Sequence, residues 1–227
     1  MKYVEKENEF KNDKSATRIL LVRHGESIGN LDGMYLGHTD LDLSPYGLKQ
    51  AEICADYLRN EQFDYIYAST LIRAYNTALP HAKMRNMQVI GDEGLRELYI
   101  GDWEGKPLAY LKTEQKELFY GGWIDNFGTF TPPGGESVLH LAERIYKKIE
   151  TLAQKHVGKS LLIATHAAAI RAFWGKACEI KPENLAASYP FPVNTSVSTI
   201  YYKNGRFYPI DYSNDRHVDT TKLKKIT

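Results

Sequence analysis

Residues 18–27 read RILLVRHGES: four consecutive apolar residues run directly into an arginine, a histidine and a glycine. So short an apolar run, ended by a glycine, reads as a strand buried on both faces, the habit of parallel sheets. The polar residues at its carboxyl end then fall where open α/β sheets bind ligands. Ser44-Pro45 reads as a helix start, a hydroxyl cap ahead of a proline at the first helical position, and Leu48, Ala51, Ala55 and Leu58 recur on one face behind it. FDYIYAS (63–69) reads as a second strand, followed by a helix, LIRAYNTALPHAKM (71–84), that Pro80 is expected to kink or split. MQVIGD (87–92) is a weaker strand, residues 136–156 make a long amphipathic helix, and SLLIAT (160–165) is another buried strand. AAAIRAFWGKA (167–177) opens as a helix directly after His166. TSVSTIYY (195–202) and a shorter FYPI (207–210) close the sheet as a hairpin around Asn204-Gly205.

Strands alternating with helices imply an α/β fold, a mainly parallel sheet with helices on both faces. One domain is expected from residue 18 to 227, behind a polar extension over 1–17. An insertion at about 105–133 interrupts it: 106–120 has helical spacing, and GGWIDNFGTFTPPGG (121–135) reads as an irregular loop, together forming a lid or pocket wall. With 43% apolar and 25% charged residues, disordered, collagen-like and coiled-coil classes fit poorly. Twenty-nine basic against 28 acidic side chains leave a net charge of +1, hence no long-range field for nucleic acid or an anionic membrane. Neither a signal-peptide core nor a membrane span is seen, so a cytoplasmic location is expected. Cys54 and Cys178 lack metal-ligand spacing and are expected to be buried reduced thiols; Lys222, Lys224 and Lys225 read as a solvated basic tail.

Arg23 and His24 are chemically suggestive together. A neutral imidazole offers a lone pair to phosphorus near pH 7, and a guanidinium grips phosphate oxygens through two parallel bonds. Taken alone, the pair could equally be a strand end bonding its own turn. Three further strand ends carry the same kind of residue: Arg73 just past the second strand, Glu97 ahead of GDWEG (101–105), and His166 after SLLIAT. Two arginines, two histidines and a carboxylate could surround one phosphate, with helix starts adding backbone donors.

LVRHGES (21–27) with Asn30, GHTDLDLSPYGLKQA (37–51), Ser69/Arg73/Thr77, RELYIGDWEG (96–105), PPGGES (132–137) and ATHAAAIR (164–171) resemble, in order, the successive motifs of the histidine phosphatase superfamily, also called phosphoglycerate-mutase-like. The match covers about 18–171 and continues more weakly to Asn194. The resemblance implies that fold, no metal, and roles for particular residues. His24 would attack phosphorus; Arg23, Arg73 and His166 would hold the transferring oxygens; Asn30 and Ala167 would complete the phosphate pocket; Glu97 would donate and then accept the proton. His38, Tyr99, Trp103, Tyr120 and Trp123 are the candidates for a substrate wall. His38, His81, His140, His156 and His217 are expected first of all to be surface or satisfied structural residues, His38 being a wall candidate as well because its loop faces the site in relatives. The chain departs from much of the family at Ala167-Ala168, where a glycine pair is common, and at Met34, where many relatives carry arginine.

The family holds both phosphatases and mutases. In mutases the segment from the acid/base glutamate resembles Glu-Arg-x-Tyr-Gly with a nearby lysine; the matching positions here are Leu98, Ile100 and Leu108. Glu97-x-x-x-Gly101-x-Trp103-Glu104-Gly105 resembles the phosphatase branch instead. The expected function is therefore metal-independent hydrolysis of a small phosphomonoester with a neutral or apolar remainder, through phosphohistidine on His24. A bisphosphorylated sugar also remains open as substrate, since lysines of the insertion could reach the site; the alternative functions are a phosphoglycerate mutase, which alone would call for 2,3-bisphosphoglycerate as cofactor, and a non-catalytic binder of phosphorylated ligands.

Overall fold

The computed structural model describes residues 7–218, so the lysine tail at 222–225 and the first six residues lie outside it. Six strands form one sheet: β1 (Thr17–Arg23), β2 (Tyr65–Ser69), β3 (Val89–Asp92), β4 (Ser160–Thr165), β5 (Val197–Lys203) and β6 (Arg206–Asn214), in the order β3-β2-β4-β1-β5-β6. β1 to β4 run parallel, and β5 and β6 join antiparallel at one edge. The two-residue period of β1 explains its unbroken apolar run. Ile19 and Leu21 enter one core with Leu161 and Ile163, while Leu20 and Val22 enter the other with Leu162 and Ala164.

The first core is closed by α5 (Val138–Lys155), through Leu141, Ile145 and Ile149, and by α6 (Ala167–Ala177), through Ile170 and Phe173. The second is closed by α2 (Pro45–Tyr57) and α3 (Ile72–Arg85), through Cys54, Ala78 and Ala82. A short α1 (Ile28–Leu31), α4 (Leu108–Thr113) and α7 (Leu185–Ser188) are further α-helices. Register aligns the strand ends. Arg23 lies opposite Thr165 and Ala68 opposite Ala164, so His24, Ser69 and His166 leave the sheet side by side.

Several expectations need correction. α3 runs as one helix through Pro80, which does not split it; Arg73, Ala74, Thr77, Ala78, His81 and Ala82 are buried along its length, and that packing outweighs the hydrogen bond lost at the proline. In α2 the buried positions are Gly47, Gln50, Ala51, Cys54 and Ala55, leaving Leu48 50% exposed. A Cβ on Gly47 would stand 1.9 Å from the Glu26 carbonyl, and this close approach turns the helix so that Leu48 faces outward. β6 is nine residues long, because at the sheet edge Pro209 is not needed as a donor to a further strand. The segment expected as irregular loop contains π-helical turns at Leu118–Asp125 and a 3-10 turn at Phe127–Thr129, which bury Phe119, Trp123 and Phe127 and so override the weak helix propensity of Gly121-Gly122. The N-terminal extension, where described, packs Phe10 against Tyr201 and Tyr208, with ring centroids 5.2 and 4.9 Å apart. Neither cysteine forms a disulfide; Cys54 is buried as expected and Cys178 is only half-buried, its sulfur accepting from the Tyr189 hydroxyl. Among the described residues no helix is long and apolar enough to cross a membrane.

Candidate active site

His24 steps off β1 with its N–H donating to the Thr165 carbonyl and its own carbonyl accepting from Asn194 Nδ2. Its ring Nδ1 lies 2.7 Å from the Gly25 carbonyl oxygen. A carbonyl can only accept, so Nδ1 carries the proton and Nε2 keeps the lone pair. The turn passes close to α2: a Cβ on Gly25 would stand 2.6 Å from the Gly47 carbonyl, which is why glycine follows the histidine. Burial, then the charges of Arg73 and Arg23, hold the ring pKa well below the usual imidazole range, so His24 is neutral at pH 7. Ser27 caps α1 by accepting from the Asn30 N–H, and Asn30 Oδ1 accepts from the Ser27 N–H in return. That reciprocal pair commits the amide oxygen of Asn30 and leaves its NH2 group as donor.

The two arginines are anchored differently. Arg23 donates through Nη1 to the Pro192 carbonyl, and burial depresses its guanidinium to about 10, leaving it charged at neutral pH. Arg73, 1% exposed, donates through Nη1 to the Thr39 carbonyl and through Nη2 to the Gly37 carbonyl. The loop offering those carbonyls is gathered by Glu104, whose carboxylate accepts from the N–H groups of Gly37, His38 and Thr39 and from the Thr39 hydroxyl. Burial alone would raise the Glu104 pKa, but these bonds together hold it below the usual carboxylate range. Glu104 thus acts through the 37–39 loop as a positioning residue, a task its place in the GDWEG motif does not reveal. Because Arg73 must satisfy two diverging carbonyls and still face the cavity, Arg73→Lys is expected to lower kcat about 10²-fold although charge is kept. Steady-state kinetics checks this, and unchanged kcat would place Arg73 outside the chemistry.

Glu97 reaches the N-terminus of α6. Its carboxylate accepts from the N–H groups of Leu98, Ala168 and Ala169 at 2.9–3.0 Å. Burial raises its pKa, opposed by the Leu98 and Ala168 N–H groups, Arg73 and the Ala169 N–H, and the net shift is upward. The strand of loop carrying Glu97 is clasped by Arg144 of α5, which donates to the carbonyls of Gly94, Arg96 and Glu97 while paired with both oxygens of Glu136. No local pattern around Arg144 announces that contact. His166 is fully buried, its ring 5.2 Å from that of His24, with Nε2 2.8 Å from the Ser69 hydroxyl and Nδ1 without a partner among the described residues.

A cavity of about 130 Å³, space for a small molecule, is lined by Arg23, His24, Asn30, Arg73, Glu97 and Ala167, while His166, fully buried beside His24, is not among its lining residues. Ala167 and Ala168 begin α6 without positive φ, so the missing glycine pair leaves the helix start intact. Of the five wall candidates only Trp123 lines the cavity. Trp103 is 1% exposed, edge-on to Tyr35 and tilted against Phe130 in the core. Tyr99 and Tyr120 point outward, 43% and 39% exposed. His38 lies behind Glu97, its Nε2 donating to the Glu97 carbonyl. The wall is instead built by Tyr35, Leu36, Ile100, Leu108, Ile124 and Phe191, from segments with no shared motif. Among the remaining histidines, His156 bonds the Tyr67 hydroxyl, His217 donates to the Thr195 carbonyl and His140 is exposed beside Glu136. His81 departs from expectation: it is buried with neither ring nitrogen partnered among the described residues, and burial holds its pKa down to about 3, so it sits in the core as a neutral ring.

A parallel sheet whose strand ends bring together two imidazoles, two guanidinium groups and a carboxyl defines the phosphoglycerate-mutase-like α/β class. The chain belongs to the histidine phosphatase superfamily (branch 1), whose sequence profile matches residues 19–215. Phosphoserine phosphatase 1 of Hydrogenobacter thermophilus is 32% identical over 190 residues, 83% of this chain and 88% of that protein. A metal-independent phosphoserine phosphatase of Arabidopsis thaliana is 31% identical over 229 residues, 96% of this chain and 92% of that one. Among solved structures, YhfR of Bacillus stearothermophilus superposes with a TM-score of 0.82 at 26% identity, covering 89% of this chain and 100% of that one. The protein is an enzyme of the phosphomonoesterase class.

Proposed function

We propose that this protein hydrolyses a small-molecule phosphomonoester without a metal, through a phosphohistidine formed on Nε2 of His24. The carrying observation is the bond from His24 Nδ1 to the Gly25 carbonyl, which fixes the tautomer and leaves a buried, neutral nitrogen free to attack. In the first step the Nε2 lone pair forms a bond to phosphorus, the ester P–O bond breaks, and the leaving oxygen takes the Glu97 proton. Arg23, Arg73, Asn30 and His166 offset charge on the three equatorial oxygens. In the second step Glu97 takes a proton from water, the water oxygen bonds phosphorus and the P–N bond breaks. Inorganic phosphate leaves, and both side chains return to their starting protonation. A raised Glu97 pKa suits a group that must hold a proton near neutrality and then regain it.

Water is the acceptor in this reading. Transfer to a second substrate hydroxyl requires holding a bisphosphate, and among the described residues the cavity offers no cation beyond Arg23 and Arg73. Brief mixing with radiolabelled substrate followed by denaturation is expected to trap label on the protein that is lost in acid and kept in alkali, with turnover unchanged by a chelator. Absence of such label, or a large loss of turnover on chelation, would overturn the proposal.

A further inference from the structure

Beyond the phosphate grip the cavity changes character. Leu36, Leu98, Ile100, Leu108, Ile124 and Phe191 line it, drawn from five separate stretches of chain. Trp123 stacks on Phe191 with ring centroids 5.3 Å apart and planes at 16°, and both meet Phe127 edge-on, so this part of the wall is a rigid aromatic block. The one charge on the lining apart from Arg23, Arg73 and Glu97 is Glu26, which is negative. Among the described residues no lysine lines the cavity, and Lys106 of the insertion lies over the ring of Tyr110 instead. The Tyr35 hydroxyl is paired with the Trp123 indole, and Gln50, whose Oε1 accepts from the Glu26 N–H, brings a neutral amide NH2 that has no partner among the described residues.

We infer that the leaving group is an uncharged, mainly apolar alcohol, an inference that rests on the phosphatase reading and narrows its substrate class. A second anionic group on the alcohol, whether carboxylate or phosphate, would leave water for a largely apolar wall where the only charge met beyond the phosphate grip is that of Glu26 and the polar partners, Gln50 among them, are neutral, and a buried charge without a counter-charge is strongly disfavoured. An aromatic or branched aliphatic body instead buries apolar surface against apolar surface, and because the leaving group stays in contact through the transition state this acts on kcat/KM.

Phosphate release by the full chain is measured with benzyl phosphate, O-phosphoserine and 3-phosphoglycerate, with activated p-nitrophenyl phosphate as reference. Benzyl phosphate is expected to exceed both anionic esters in kcat/KM by at least about 10²-fold. Met34 lines the cavity at its mouth and is 36% exposed, so Met34→Lys adds a cation without a cavity in the core. That variant is expected to narrow the preference by at least about 10-fold, by a gain toward 3-phosphoglycerate. Equal or better turnover of either anionic ester by the wild type, with p-nitrophenyl phosphate hydrolysed normally, overturns the inference while leaving the phosphatase reading intact. Failure to release phosphate from any of the four overturns both.

Discussion

His24→Ala is expected to lower kcat by at least about 10⁴-fold and to abolish the acid-labile label. The expectation is large because the residue has a role that no neighbour takes over. It is the lone-pair donor, and its replacement by a methyl group leaves no nucleophile within the ring of donors. His166 does not substitute in this reading, in which its ring, 5.2 Å away with Nε2 against the Ser69 hydroxyl, uses Nδ1 to donate to a phosphate oxygen. Phosphate affinity should survive in part, since Arg23 and Arg73 take their anchoring from Pro192, Thr39 and Gly37 rather than from His24. Retained affinity for vanadate alongside lost turnover separates a missing nucleophile from a collapsed site. Turnover within about 10-fold of wild type would move the nucleophile elsewhere.

Glu97→Gln is expected to lower kcat/KM for alkyl phosphates by roughly 10²–10³-fold and to spare p-nitrophenyl phosphate, whose phenolate departs without a proton. The pH profile carries the sign. Burial raises the Glu97 pKa, so the protonated acid persists above the usual carboxylate range and wild-type kcat/KM falls as pH rises through the raised value. In the glutamine variant that alkaline fall should vanish. Stability follows the same direction: a carboxyl with a raised folded pKa favours the fold while protonated, and this contribution is lost as pH rises through that pKa. Denaturant unfolding of wild type should therefore weaken relative to the variant over that interval. A variant that loses activity equally on all esters, with its alkaline limb unchanged, would show that Glu97 acts only by holding the start of α6.

The legible part of the fold was local. Ile19, Leu20, Leu21 and Val22 had to be a two-faced strand, because a run of that length leaves no side for water. Ser44-Pro45 had to open a helix, and Ser44 does accept from the Gly47 N–H. The misreadings share one cause. Leu48, Pro80 and Gly121-Gly122 were judged on local periodicity or propensity, and each was overruled by a contact made far along the chain: the Glu26 carbonyl against Gly47, the packed face of α3, and the aromatic core around Trp123. Aromatic character marks Tyr99, Trp103 and Tyr120 as possible wall, yet it says nothing about which way a ring points.

Sequence alone determined the kind of sheet, the strand ends that matter and the five groups placed there, because strand period, helix caps and ordered motifs are carried by neighbouring residues. Only the tertiary structure decided which nitrogen of His24 is free, how Glu104 holds the carbonyls that hold Arg73, which way the Glu97 pKa moves, and that the far wall is apolar. Each of those depends on what lies a few ångströms away in space. Burial and hydrogen-bond direction belong to the packed surroundings, and those come from residues that the chain keeps far apart.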